Sequence, residues 1–371
     1  MNDKKKVIVA PLHWGLGHAT RCIPIIHGLL QEDAEVIIAS DGGALALLRR
    51  EFPHLEMLEL PEYNIRYPFQ NMILGMMTQL PKIIRGAVME HLFLKKYLKN
   101  NKVDIIISDN RFGFYHQSVK SVFITHQIRI IMPFKWLENI IYQLNNRFIN
   151  RFEACWIPDF EKKPNLSGKL SHEIDHHPNN IKTFAKMSYI APLSRMRFLE
   201  RPKQYQAIFI LSGPEPQRTI FEQIIVNQLK NFKEKFCLVR GIVSEIKANL
   251  STNEKVEIHN YLTSNDLNEK IAASHFVVCR SGYSSIMDLW AAGAKAVLVP
   301  TPGQTEQIYL ADYLQEQNLF FKQRQTSFKL AAAIVVMNQH STTTLHATQG
   351  CLPYSTSILK QTIQRLLKEG A

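Results

Sequence analysis

The sequence predicts an α/β protein built from two doubly wound, parallel-sheet domains. Three observations predict it. The chain has 371 residues, too long for one ordinary domain. Short β-rich runs, apolar on both faces, alternate with helical patterns, as in sheets covered on both sides. The alternation stops in a polar stretch and then restarts, which argues two similar units and no short-period repeat.

In the first half, strands are expected at Val7–Pro11, Glu35–Ser40, Leu55–Leu60, Val103–Asp109, Ser121–Gln127 and Ala154–Asp159. Helices are expected near 18–31, 42–52, 70–99 and 136–152. Glu161 to Lys186 is rich in Lys, His, Asn and Pro and reads as loop, and Met187–Leu193 reads as a closing strand. In the second half the expected strands are Ala207–Ser212, Phe236–Gly241, Val256–His259, Phe276–Cys279, Ala294–Pro300 and Leu319–Lys322. Helices are expected near 217–230, 264–273, 283–292, 305–316 and 326–338. The charged stretch 194–203 marks the boundary. The expected organisation is an N-terminal domain 1–195, a C-terminal domain 196–352, and a C-terminal stretch 353–371. That last stretch holds a helix, Ser355–Lys368, expected to pack back toward the N-terminal domain.

Composition narrows the partners. Hydrophobic residues make up 46% of the chain, enough for a full core. A net charge of +12 implies an anionic partner: a nucleotide diphosphate, an anionic membrane or a nucleic acid. The basic residues are scattered and no aromatic-basic motif occurs, so no nucleic acid is expected. The five cysteines are widely spaced without C-x-x-C, which fits free thiols in a reducing compartment. The start lacks a signal-peptide apolar core, and no run of 18 apolar residues appears. A cytoplasmic protein is expected.

Ligands of open parallel sheets bind beyond the carboxyl ends of the strands, so the loops there carry the candidate chemistry. The first, 11–20, places Gly15, Gly17 and His18 between a strand and a helix. The third glycine of a dinucleotide fingerprint is missing, so NAD is weakly supported. His18 reads either as a general base or as a helix cap. The second loop, Cys279-Arg280-Ser281-Gly282-Tyr283, leads into a helix and reads as an anion site or as an ordinary capped turn. Asp288, one turn on, reads as a ribose acceptor or a dipole-stabilising acid. The third loop, 300–307, offers Glu306 and Gln307 to vicinal hydroxyls, or to solvent in a first helical turn. The fourth offers Ser212, Gly213 and Arg218 to phosphate. His126 ends a strand, where a lone histidine is more often structural.

The run from Cys279-Arg280-Ser281-Gly282 through Asp288 and Ala291-Ala292-Gly293 to Val299-Pro300 and Glu306-Gln307-Ile308-Tyr309-Leu310-Ala311 resembles the donor-binding signature of family-28 glycosyltransferases. The Gly17-His18 loop is similar to that family's first glycine-rich loop. The resemblance implies a GT-B fold of two Rossmann-like domains facing a cleft, with a UDP-sugar held by the C-terminal domain and neither metal nor cofactor. By position it implies Ser281, Gly282, Ser212 and Gly213 at the diphosphate and Asp288 at the ribose. It puts Tyr261 and Leu262 beside uracil, Glu306 and Gln307 at the sugar, and Gly15, Gly17, His18 and His126 on the acceptor side. Arg218 and Arg280 join the nucleotide-sugar set. Two positions depart from the pattern. The ribose acid is usually Glu, and the sugar pair is Gln-Gln in the family's lipid-linked N-acetylglucosaminyl enzyme. A hexose donor therefore stands beside an N-acetylhexosamine. The expected reaction is metal-independent, inverting transfer with His18 as base. The alternative on the same fold is a UDP-sugar hydrolase or epimerase.

The acceptor is open, and one segment bears on it. Residues 65–102 carry Arg66, Lys82, Arg85, Lys95, Lys96, Lys99 and Lys102 against Glu90 alone, interleaved with apolar residues including Tyr67, Phe69, Ile84, Val88 and Leu92. Such a segment can lie in an anionic headgroup layer at the inner face of the membrane, which favours a lipid-linked acceptor. The bland reading is a covering helix, strongest for residues 86–99.

Overall fold

The computed structural model describes residues 4–62, 72–132, 134–172, 186–242, 255–339 and 351–368, and the side chains of 72–80 and 351–356 lie outside that description. The chain falls into two compact units, Met1–Leu193 with Pro353–Ala371, and Ser194–Leu352. The membrane-segment residues Arg66, Tyr67 and Phe69 lie outside the described residues, as does 173–185 of the expected loop.

Unit 1 is a parallel seven-stranded sheet in the order β3-β2-β1-β4-β5-β6-β7. The strands are β1 (Lys6–Pro11), β2 (Glu35–Ser40), β3 (Glu56–Glu59), β4 (Ile105–Asp109), β5 (Lys120–Ile124), β6 (Ala154–Ile157) and β7 (Met187–Tyr189). Its helices are α1 (Gly17–Gln31), α2 (Gly42–Glu51), α3 (Met72–Leu98) and α4 (Lys135–Ile149). Unit 2 repeats the plan with six parallel strands in the order β10-β9-β8-β11-β12-β13. These are β8 (Ala207–Ile210), β9 (Phe236–Val239), β10 (Val256–His259), β11 (Val277–Cys279), β12 (Ala296–Leu298) and β13 (Phe321–Lys322). The helices are α5 (Gln217–Leu229), α6 (Ser264–Ala272), α7 (Tyr283–Ala292), α8 (Thr305–Glu316) and α9 (Leu330–Gln339). The last helix, α10 (Cys351–Lys368), belongs to unit 1 from Pro353 onward. Its Ile363 is fully buried, and Gln364 Nε2 donates to Glu32 Oε1 at 2.9 Å beyond the end of α1.

The strands are shorter than their apolar runs at the carboxyl end. β8 stops at Ile210 and β12 at Leu298, yet Leu211 and Val299 beyond them stay buried. Hydropathy reports burial, and burial outlasts strand pairing where the chain turns into a loop over the sheet. The polar stretch after β6 is also less open than its composition implies. Asp159, fully buried, accepts the backbone N–H groups of Phe160, Leu166 and Ser167 at 2.8–2.9 Å. One carboxylate thus replaces the missing ladder partners of a whole turn.

Both sheets start in the middle. β1 lies between β2 and β4, and β8 between β9 and β11, so successive crossovers leave to opposite faces and open a crevice at the strands' carboxyl ends. In unit 1 this switch point is tied from beneath by Arg111, which is fully buried. Its Nε donates to Pro11 O at 2.9 Å, and its Nη atoms pair with Glu90 of α3 and Asp41 after β2. Gly113 follows because a Cβ there would sit 1.9 Å from Ala87 O of α3.

Replacing Arg111 with Met should strip two buried carboxylates of their counter-charge and cost about 3–5 kcal/mol. Urea unfolding followed by circular dichroism measures it, and a loss under about 1 kcal/mol would show that the carboxylates find other compensation.

Candidate active site

At the switch point of unit 1, the start of α1 and the ends of β4 and β5 bring four side chains together. His18 Nδ1 lies 2.9 Å from Asp109 Oδ1. Arg21, one turn on in α1, donates through Nε to Asp109 Oδ2 at 2.5 Å and through Nη2 to Oδ1. Its Nη1 lies 3.0 Å from His126 Nδ1. Arg21 and Asp109 are buried to within 1% of full burial. Burial alone would raise the Asp109 carboxyl, but Arg21 and His18 hold it well below the usual range. His18 is lowered from its ordinary 6.5 by burial first and by Arg21 second, so it is neutral at physiological pH.

The tautomer follows from this network. Arg21 Nη2 also lies 2.8 Å from His18 Nδ1, but its fork is already spent on both carboxylate oxygens. We assign the Nδ1 proton toward Asp109. That leaves the Nε2 lone pair as the basic site, and among the described residues Nε2 makes no hydrogen bond. His18 does not cap α1, whose N-cap is Leu16, with no side-chain cap hydrogen bond. His13 on the same loop is not equivalent. Its Nε2 accepts from Gly43 N at 3.1 Å and its Nδ1 faces Asp41 at 3.4 Å, so both nitrogens are engaged. Gly15, at φ +86, has nothing within 4 Å of a built Cβ. The backbone there meets open space.

Unit 2 presents the remaining candidates. Gly282 caps α7 with its own backbone, without a capping side chain, and a Cβ at Gly282 would meet nothing within 4 Å. Ser212 and Gly213 are exposed after β8, and Gly213 takes φ +98. A Cβ on Gly213 would come 3.5 Å from Thr301 Oγ1, so the β8 and β12 loops meet there. Gln307 is buried and accepts the Thr301 N–H at 2.8 Å, while its carbonyl accepts from Ser281 Oγ at 2.8 Å. Glu306 lies in the first turn of α8, half-buried. Tyr261 and Leu262 follow β10, also half-buried. Asp288 sits in α7 with its side chain 18% exposed.

Two expected ligands are turned inward. Arg280 is 1% exposed and lies 4.5 Å over the Phe221 ring. It donates to Val299 O, Gln217 O and Gln325 Oε1, and burial lowers its pKa to about 10. Arg218 is spent on Glu215 and Glu222. Both arginines brace the loops and do not reach into them. In a strand-loop-helix sequence a basic residue reads equally as ligand or brace, and only its neighbours decide. Sequence reading also missed Arg21, Ser194 and Thr301. Thr301 Oγ1 is buried and, among the described residues, has no hydrogen-bond partner. No local signal marks it. Asp109 was legible as a polar residue closing an apolar strand.

Residues 207–365 match the glycosyltransferase family 28 C-terminal domain. An 89-residue stretch is 33% identical to the UDP-N-acetylglucosamine–N-acetylmuramyl-(pentapeptide) pyrophosphoryl-undecaprenol N-acetylglucosamine transferase of Rhodopseudomonas palustris (strain BisB18). That stretch is 24% of this chain and spans only 21% of the relative's length. The fold is GT-B. The kitacinnamycin glycotransferase superposes with a TM-score of 0.68 at 15% identity, over 98% of this chain and 100% of its own. Acinetobacter baumannii MurG gives 0.52 at 13%, over 99% and 98%.

An orphaned buried hydroxyl costs roughly 1–3 kcal/mol. Thr301→Val should therefore raise the melting temperature of the ligand-free protein. A clear fall would mean that the hydroxyl is already satisfied.

Proposed function

We propose that this chain, which carries a family-28 glycosyltransferase C-terminal domain over residues 207–365, is a metal-independent inverting glycosyltransferase. It moves a hexose or N-acetylhexosamine from a UDP-sugar to an acceptor hydroxyl. One observation carries the reading: the matched region contains the three candidate loops that follow β8, β11 and β12, and among them Gly282 leaves open space over the start of α7.

The chemistry is a single displacement. His18 Nε2 takes the acceptor hydroxyl proton as the oxygen attacks the anomeric carbon. The bond from that carbon to the diphosphate breaks, and UDP leaves with the electron pair. Asp109 steadies the imidazolium that forms. The N–H groups and dipole of α7 receive the charge on the diphosphate, a role that needs no metal ion. Ser212, Gly213, Ser281 and Gly282 hold the phosphates, Asp288 the ribose, Tyr261 and Leu262 the base, and Glu306 and Gln307 the sugar. Gly15, Gly17 and His126 line the acceptor side.

The acceptor is amphiphilic in this reading. On α3 one face is core, with Glu90 and Leu94 buried, while Ile84, Val88 and Leu92 are 53%, 52% and 54% exposed. On α4 the stripe Trp136, Ile140 and Leu144 is 64%, 50% and 49% exposed. Exposed Lys82, Arg85, Lys95, Lys96, Lys135 and Arg147 accompany them. Among the described residues no helix is long and apolar enough to cross a membrane, so these stripes fit a surface-bound mode.

Incubation with a panel of UDP-sugars and lipid-linked acceptors should release UDP only when the acceptor is present. Release without acceptor would favour hydrolysis, and loss of activity in EDTA would sink the metal-free mechanism. His18→Ala should lower kcat by about 10²-fold or more with UDP binding intact. The lowered His18 pKa means the base stays unprotonated as pH falls, so the acid limb of kcat/KM should lie below 6.5. Gly282→Ala should leave the melting temperature unchanged, because the Cβ meets no atom, yet weaken UDP. Normal UDP affinity in that variant would place the diphosphate elsewhere. Vesicles with anionic lipid should float the protein at low salt, and neutralising Lys82, Arg85, Lys95 and Lys96 should weaken flotation.

A further inference from the structure

Arg21 follows His18 by three residues in α1, so both side chains leave one face of the helix. That face meets Asp109, which closes β4, and His126, two residues beyond β5. One buried guanidinium thus stands between a carboxylate and two imidazoles. A guanidinium only donates, and an ionised carboxylate only accepts. Together these limits place the proton on each ring. A carboxylate offers about four acceptor positions, and at Asp109 four donors converge on them. Oδ2 takes Arg21 Nε at 2.5 Å and Cys22 Sγ at 3.5 Å. Oδ1 takes Arg21 Nη2, and His18 Nδ1 at 2.9 Å. Those two nitrogens lie 2.8 Å apart because they share one oxygen. His18 therefore carries its proton on Nδ1 and keeps its lone pair on Nε2.

At His126 the polarity is reversed. Arg21 Nη1 lies 3.0 Å from His126 Nδ1. The arginine must donate there, so Nδ1 presents its lone pair and the ring's one proton sits on Nε2. We propose that Arg21 is a positioning residue that sorts the two histidines: it leaves a basic lone pair on His18 and none on His126. The inference rests on the reading of His18 as the base. Its consequence is that His126, with Nδ1 spent on Arg21 and Nε2 protonated, cannot take the acceptor proton in place of His18. A lysine cannot sort them, because one ammonium lacks the fork that spans the carboxylate and the second ring at once.

The test is two-bond ¹H–¹⁵N correlation NMR of the full chain labelled at histidine. The chain has 14 histidines, so His18 and His126 are assigned by the signals lost in His18→Gln and His126→Gln. The unmodified protein should show His18 as Nδ1–H and His126 as Nε2–H. In Arg21→Lys, His126 should lose its fixed tautomer and average both ring nitrogens, while His18 stays Nδ1–H against Asp109. The same variant should lower kcat about tenfold or more and keep UDP affinity within about threefold, as for a misplaced reacting group remote from the nucleotide. Two Nε2–H rings in the unmodified protein would mean that Arg21 donates to both, which overturns the proposal. So does an unchanged His126 tautomer in Arg21→Lys. Should that variant fail to fold, the two tautomers of the unmodified protein decide alone. Full activity in His18→Ala, with both tautomers as expected, would leave the sorting in place and sink the reading of His18 as base.

Discussion

The constraint beneath everything else is that each sheet begins in its middle. A parallel strand pair needs a right-handed crossover. When the chain winds one way from β1 and then the other from β4, the two sets of crossovers must cover opposite faces. The carboxyl ends of β1 and β4 are then the one place in the unit where neighbouring loops part. The same holds for β8 and β11. His18, Asp109 and Arg111 gather at the first such place, and Ser212, Gly213 and Gly282 at the second. The candidate residues sit where connectivity leaves room for them.

Holding loops open above a sheet requires support from below, and the support here is buried charge. Arg111 joins three elements through Glu90, Asp41 and Pro11 O. Arg280 joins the β11 loop to the β12 loop and to α5 through carbonyl oxygens alone. Arg21 does the same for Asp109 and His126. A guanidinium presents five donors in a planar fork, so one side chain can satisfy several carbonyls or carboxylates at once. The cost of burying it is met only when nearly every donor is used. These arginines are thereby committed largely to the scaffold.

The same cluster tunes His18. Histidine needs to be neutral to accept a proton, and a nearby carboxylate alone would raise its pKa and keep it charged. Burial lowers His18 most, and Arg21, which shares Asp109, lowers it again against the carboxylate's pull. Asp109 still orients the ring. Orientation and pKa are thereby set by different partners.

The sequence by itself determined the two-unit α/β plan, because apolar runs bounded by glycine and proline are a local property. Among the described residues all thirteen strands lie within or beside their expected runs, and α7 and α8 match theirs residue for residue. It also marked the loops worth reading, through Gly17-His18 and Arg280-Ser281-Gly282. It left open what each side chain there does. Whether Arg280 faces phosphate or carbonyls, whether His18 caps a helix or meets Asp109, and whether Asp288 is bare or held by Ser194 are matters of contacts between residues 91, 45 or 94 positions apart. Helix and strand periodicity carry no information at that range. Only the tertiary fold decided them, because only the fold brings such distant donors and acceptors within hydrogen-bond reach.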